Sequence, residues 1–146
     1  MSGEKKQEKR VLFVCIENAG RSQMAEAFAA RYGLSAASAG TLPSETVNPS
    51  VVEAMREVGI DISPNRPRLL TKEMIDASVL VVTMGCSVED VCPRPLIAQM
   101  KKKLMDWHIE DPKGKSIENV RAIRKEIEDK VRSLASEIQT ADDGLA

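Results

Sequence analysis

Aromatic side chains are scarce in this chain: two Phe, one Tyr and one Trp make up 3% of 146 residues. Few rings are therefore left to wall a binding pocket once a core has been filled. Charge of one sign is missing as well. Lys and Arg total 21 against 22 for Asp and Glu, a net charge of -1, so no whole-molecule field draws in nucleic acid or an anionic membrane surface. The longest strongly apolar run, Val11 to Ile16, is six residues, far short of the roughly 20 that a membrane helix needs and too short for a signal-peptide core. Cysteines number three and histidines one. An odd cysteine count argues against a secreted disulfide framework, and three thiols without short paired spacings, with His108 alone beside Trp107, make a poor zinc site. The expected location is the cytoplasm.

What is present fits one soluble domain. At 16.0 kDa, with 42% hydrophobic and 29% charged residues, a chain of this size buries about two-thirds of its unfolded surface without needing a disulfide or a metal. Residues 1–10 carry six charges and read as a solvated arm, residues 11–139 as the domain, and 140–146 as a tail. Val11 to Val14 is apolar on both faces, as expected of a strand buried between two helical layers. A helix is expected from about Ser22, with Met24, Ala25, Phe28 and Tyr32 on one face. Ala36 to Ala39 reads as a second, weak strand, and Asn48-Pro49 as the cap and first turn of a helix stopped by Gly59. Val79 to Thr83 reads as a central strand, Pro93 to Lys103 as a helix and Leu104 to Trp107 as a short fourth strand. Ile117, Val120, Ile123, Ile127, Val131, Leu134 and Ile138 recur at spacings of three and four, which predicts a long amphipathic helix. The fold class is α/β, with a parallel sheet covered on both faces and ligands expected at the carboxyl ends of its strands.

Chemistry concentrates in the segment Cys15, Ile16, Glu17, Asn18, Ala19, Gly20, Arg21, Ser22, where the first strand passes into the first helix. Backbone amides and a helix N-terminus converge there on an anion. The same positive end favours a thiolate, which makes Cys15 the candidate nucleophile. Arg21 can fold back and grip two oxygens of a tetrahedral anion with its planar fork. Gly20 permits tight curvature, and Ser22 can cap the helix or hydrogen-bond the departing thiolate. The plain alternative is a core cysteine at a strand end with a solvated arginine. Asp111, followed by Pro112 and Gly114 in a rigid turn, is a candidate general acid, with Glu110 its solvated neighbour.

Val11 through Ala27, the Ser38-Ala39-Gly40 turn, Val51 to Ile62, Val79 to Cys86 and Asp111-Pro112 together resemble the low-molecular-weight tyrosine phosphatase superfamily, and within it the thioredoxin-coupled arsenate reductases. The resemblance spans about residues 10 to 138 and implies a four-stranded parallel sheet flanked by helices. It implies Cys15 as nucleophile, Arg21 as oxyanion binder and Asp111 as general acid. A phosphatase needs one thiol, whereas reducing an oxyanion takes two electrons and so a second cysteine, with a third to carry the disulfide outward. Thr83-Met84-Gly85-Cys86 and Cys92-Pro93 resemble the redox loop of the reductases. The resemblance then implies that Cys86 attacks Cys15, that Cys92 attacks Cys86, and that thioredoxin or a similar dithiol reductant reduces the resulting disulfide.

Phe13, Phe28 and Tyr32 are expected in the core, and Lys113-Gly114 follow Asp111-Pro112 where the phosphatases resembled here carry tyrosines. A small oxyanion, arsenate or phosphate, suits that better than a phosphoprotein. Asn18, Glu26 and Ser38 match a potassium site of some reductases, but Arg66 and Arg68 stand where Thr and Asp would be expected. No metal and no organic cofactor is therefore expected. Two alternatives stay open: a small tyrosine phosphatase using Cys15, Arg21 and Asp111, and a non-enzymatic phosphate-binding or phosphocarrier module.

Overall fold

A computed structural model describes residues 10–84 and 103–145. The expected helix at 93–103 and both later cysteines, Cys86 and Cys92, lie outside that range, apart from Lys103. Four strands, β1 (Val11–Cys15), β2 (Ala36–Gly40), β3 (Leu80–Thr83) and β4 (Leu104–Asp106), form one sheet in the order β2-β1-β3-β4. Every pairing is parallel, with Val14 opposite Ala39 on one side and Thr83 on the other. Strand β1 is central because it has no polar side chain to keep wet: all five of its residues are buried.

Alternation along β1 feeds two cores. Val11, Phe13 and Cys15 join the larger one with helices α1 (Arg21–Arg31), α2 (Pro49–Arg56) and α4 (Ile117–Leu145), while Leu12 and Val14 face Leu70, Ile75 and Val81. Short helix α3 (Lys72–Asp76) contributes Ile75 to the second face; it has no counterpart in the hydrophobic pattern because five residues are too few to show a helical period. Thr71 caps it, accepting from the Met74 amide at 3.2 Å. In α4, Val120, Ile123, Ile127, Val131 and Leu134 are all buried, and Ser116 caps the helix through the Asn119 amide at 3.2 Å. The helix runs on to Leu145, beyond Ile138, the last residue of the expected stripe.

Helices α1 and α2 stop the same way. In each, a glycine at positive φ (Gly33 at 88°, Gly59 at 86°) lets the next amide reach back five residues, Leu34 to Ala29 at 2.8 Å and Ile60 to Met55 at 3.0 Å. Strand β2 extends one residue further than its weak apolar run suggests, taking in Gly40, which is paired with Cys15 in a strand and is not part of a turn. Conversely, Val79 is 49% exposed and precedes β3, and Trp107 follows β4. The chain crosses from β1 to β2 on one side and to β3 on the other. The crevice at this reversal opens at the carboxyl end of β1, where such sheets bind ligands.

Candidate active site at the carboxyl end of β1

Cys15 closes β1 and Arg21 opens α1, so residues 16–20 form the loop between them. Every carbonyl of this loop is engaged away from its centre. The carbonyls of Cys15, Ile16, Glu17 and Ala19 accept from the amides of Thr41 (3.3 Å), Leu42 (2.8 Å), Ser44 (3.0 Å) and Asn48 (2.9 Å). Those of Asn18 and Gly20 accept from Gln23 Nε2 (3.1 Å) and the Met24 amide (3.0 Å). With its oxygens drawn onto the 41–48 segment and onto α1, the loop leaves its amide edge for the pocket, the geometry of an anion nest.

Asn18 makes the loop possible. It has a φ of 52°, a left-handed conformation that asparagine tolerates better than most residues, and its buried side chain is bonded from every side. Nδ2 donates to Ser22 Oγ (2.7 Å) and Ser38 Oγ (3.0 Å), and Oδ1 accepts from the Arg68 amide (2.9 Å) and Gln23 Nε2 (3.2 Å). The Ser38 hydroxyl in turn donates to Glu26 Oε1 at 2.6 Å. Asn18, Glu26 and Ser38 thus bond one another through Ser38, and Arg68 takes part through its backbone, with its side chain and that of Arg66 exposed.

Cys15 is 2% exposed; its Sγ accepts from the Asn18 amide at 3.2 Å and lies 2.9 Å from Ser22 Oγ. Because the Ser22 oxygen already accepts from Asn18, its proton is available to a thiolate. Ser22 does not cap α1, whose N-cap is Gly20 with no side-chain cap bond; its hydroxyl lies against Cys15 Sγ instead. Gly20 itself is not in the left-handed region, and what its missing side chain allows is the close approach of Pro112, whose Cγ would lie 3.0 Å from a Cβ there. Gly40 has a parallel role that composition does not reveal. A Cβ on it would sit 2.5 Å from the Ile16 carbonyl oxygen and 2.9 Å from the Asn18 nitrogen.

Arg21 is 8% exposed, and its Nη1 donates to the carbonyls of Met84 (2.9 Å) and Ile109 (3.0 Å). That fixes the plane of the guanidinium and leaves Nε and Nη2 as the fork that can meet an anion. Asp111 Oδ2 lies 3.7 Å from Nη2, and its Oδ1 accepts from the Lys113 amide at 3.0 Å. Cys15, Arg21, Asp111 and Pro112 line one pocket with Ile16, Glu17, Ala19 and Gly20. Lys113 and Gly114 line it beside Pro112, and Ser44, Thr46, Asn48 and Pro49 are brought to its wall by tertiary folding.

Among the described residues, no aromatic lines that pocket. Phe13 and Phe28 are fully buried, and Tyr32 is half-buried with its hydroxyl on Glu128 at 2.6 Å. Trp107 also enters the core, its ring 5.9 Å from that of Phe13. His108 stands 89% exposed beside Asp106, and Glu110 pairs with Lys115 at 2.9 Å.

Residues 10–143 match the family described as low molecular weight phosphotyrosine protein phosphatase. The chain belongs to this family. Among its curated relatives, an arsenate reductase of Staphylococcus aureus is 39% identical over 132 residues (88% of this chain, 97% of the relative). A glutaredoxin arsenate reductase of Synechocystis is 37% identical over 134 residues (89% and 98%). Among solved structures, the YwlE arginine phosphatase of Geobacillus stearothermophilus superposes with a TM-score of 0.81 at 31% identity (91% and 94% covered). An arsenate reductase in the phosphate binding state gives 0.77 at 36% identity (89% and 98%). A thioredoxin-dependent arsenate reductase of Corynebacterium glutamicum gives 0.76 at 36% identity, covering 95% of this chain and 66% of that one. Enzymes named for two different chemistries thus share its fold. No described helix is long and apolar enough to cross a membrane.

Proposed function

We propose that the protein is an arsenate reductase. The observation that carries the reading is the convergence of Cys15, the outward-tied amide loop, Arg21 and Asp111 on one pocket without an aromatic wall, in a chain that has two further cysteines. In this reaction the Cys15 thiolate attacks the arsenic of arsenate held by the loop amides and Arg21. Asp111 gives its proton to a departing oxygen, which leaves as water. Cys86 then attacks Cys15 Sγ; the S–As bond breaks with its electron pair going to arsenic, arsenic(V) becomes arsenic(III), and arsenite departs. Cys92 attacks Cys86, frees Cys15 as thiolate and leaves a Cys86–Cys92 disulfide, which a dithiol protein reduces.

Cys86 follows Met84 by two residues, and the Met84 carbonyl is one that Arg21 grips; the described chain thus leaves β3 at the pocket's edge, which supports Cys86 as the second thiol. We assign thioredoxin as the reductant, because the two later thiols suffice to form a disulfide within the chain. A cycle with three working thiols needs a reducing compartment, and the cytoplasm supplies one. The deciding measurement is NADPH consumption with thioredoxin and thioredoxin reductase, with and without arsenate. Arsenate-dependent consumption by the wild type and none by Cys15→Ser is expected; consumption only with glutathione and glutaredoxin would reassign the reductant, and none with either would overturn the reading.

One specific observation favours a second reading. Every group a phosphatase needs, Cys15, Arg21 and Asp111, lies in the described pocket, and the arginine phosphatase shares the fold. Hydrolysis of a phosphorylated substrate that persists in Cys86→Ser, together with no arsenate reduction by the wild type, would select it.

A further inference from the structure

Glu17 is an unfavourable neighbour for an oxyanion. Its side chain, 41% exposed, belongs to the loop that turns its amides to the anion, and it lines the same pocket as Cys15 and Arg21. An unpaired carboxylate there opposes the entry of a second negative charge. From across the mouth, Lys113 brings its ammonium to 3.1 Å from Glu17 Oε2. The same residue's backbone amide donates to Asp111 Oδ1 at 3.0 Å. One residue therefore holds Glu17 with its side chain and Asp111 with its main chain, in a turn kept tight by Gly114 at φ 74° and by the Lys115 amide on the Pro112 carbonyl at 3.1 Å.

We propose that the Glu17–Lys113 ion pair is a latch across the mouth of the pocket: it neutralises Glu17 so that an oxyanion can enter, and it holds the Asp111 turn over the Cys15 loop. The inference rests on reading the Cys15 pocket as an oxyanion site. As a contributor to stability the pair is minor, because both partners reach solvent and salt screens them. Its leverage is on function. Loss of Lys113 exposes the anion to a bare carboxylate, and a displaced Asp111 turn misplaces the proton donor, to which catalysis is far more sensitive than stability is. Lys113 and Glu17 are positioning residues here; neither is assigned a bond-making step.

Four variants separate these effects: Lys113→Met, Glu17→Gln, the double variant, and Lys113→Arg. Inorganic phosphate binding by calorimetry, at low and at physiological salt, reads the anion site, and kcat and KM for arsenate with thioredoxin read the turn. Lys113→Met should weaken phosphate about fivefold, ~1 kcal/mol at 25 °C, and lower kcat. Glu17→Gln should bind phosphate at least as tightly as the wild type but with lowered kcat. The double variant should recover phosphate affinity to within about twofold of the wild type while kcat stays low, and Lys113→Arg should keep both. A merely structural role cannot give recovery on removal of a second residue. A double variant as weak as Lys113→Met, or Lys113→Met with unchanged binding and kcat, overturns the latch. Failure of the wild type itself to bind phosphate or arsenate overturns the oxyanion reading, and the latch with it.

Discussion

Arg21 does two things through one planar group. Its Nη1 bonds the Met84 and Ile109 carbonyls, so the segments after β3 and β4 are tied to the first residue of α1, while Nε and Nη2 remain for an anion. Lysine carries the charge but lacks the fork, and from one nitrogen cannot hold two carbonyls and two anion oxygens in fixed directions. Arg21→Lys should therefore lose at least about tenfold in kcat/KM for arsenate, about 1.4 kcal/mol of transition-state binding. Near-normal turnover in that variant would show that Arg21 does not clamp the anion. Gly40 is constrained by space alone. The atoms that a Cβ would meet are backbone atoms of Ile16, Glu17 and Asn18, which cannot rotate away. Gly40→Ala should cost about 1–3 kcal/mol in urea unfolding, as overpacking does, and weaken phosphate binding by displacing the amide loop; wild-type values for both would mean that the loop has slack.

At the scale of elements, charge joins helices that apolar packing has already brought together. Glu57 sits just past α2 and bonds Arg121 (2.7 Å to Nη2) and Arg124 (2.9 Å to Nη1), both on α4. The hydrogen bond from Arg121, then that from Arg124, lower its pKa to about 2 from 4.5. A carboxylate whose folded-state pKa lies below its unfolded value stabilises the fold fully above the unfolded value, and that contribution fades as pH falls towards the folded one. Glu57→Gln should thus lower Tm at pH 6 and low salt, with the gap to the wild type narrowing between about pH 4.5 and pH 2. A constant gap across that window would assign the effect to packing. The elements themselves differ in how legible they were. Buried β1 and the 29-residue α4 could be read directly, because burial on two faces or on one stripe leaves a pattern within the segment. Asn18's bonds to Ser38 and Arg68, the 41–48 segment that takes the loop's carbonyls, and the room left by Gly40 could not. They are contacts between residues far apart in the chain, and no local period records them. Lys103 shows the same limit: at the end of the helix expected from Pro93, its ammonium bonds the Ile75 and Ser78 carbonyls, each at 2.6 Å.

For the molecule as a whole, the sheet order puts one crevice at the end of β1, and the proposed cycle asks three thiols to act there in turn. A relay in which each thiol has its own step makes a prediction for each removal, because the species before the missing step accumulates. Cys86→Ser should keep slow hydrolysis of an aryl phosphate, which needs only Cys15, Arg21 and Asp111, and lose arsenate reduction. Cys92→Ser should complete about one turnover per molecule and stop as a Cys15–Cys86 disulfide, visible by peptide mapping after free thiols are alkylated. The arithmetic is strict: one arsenite released uses two thiol electrons, so a burst of one equivalent with no steady state identifies Cys92 as the thiol that regenerates Cys15. Should Cys92→Ser turn over at the wild-type rate with thioredoxin, the reductant must act directly on the Cys15–Cys86 bond. Should Cys86→Ser do so as well, no relay exists, and a thiol of the reductant must itself attack the arsenic adduct on Cys15.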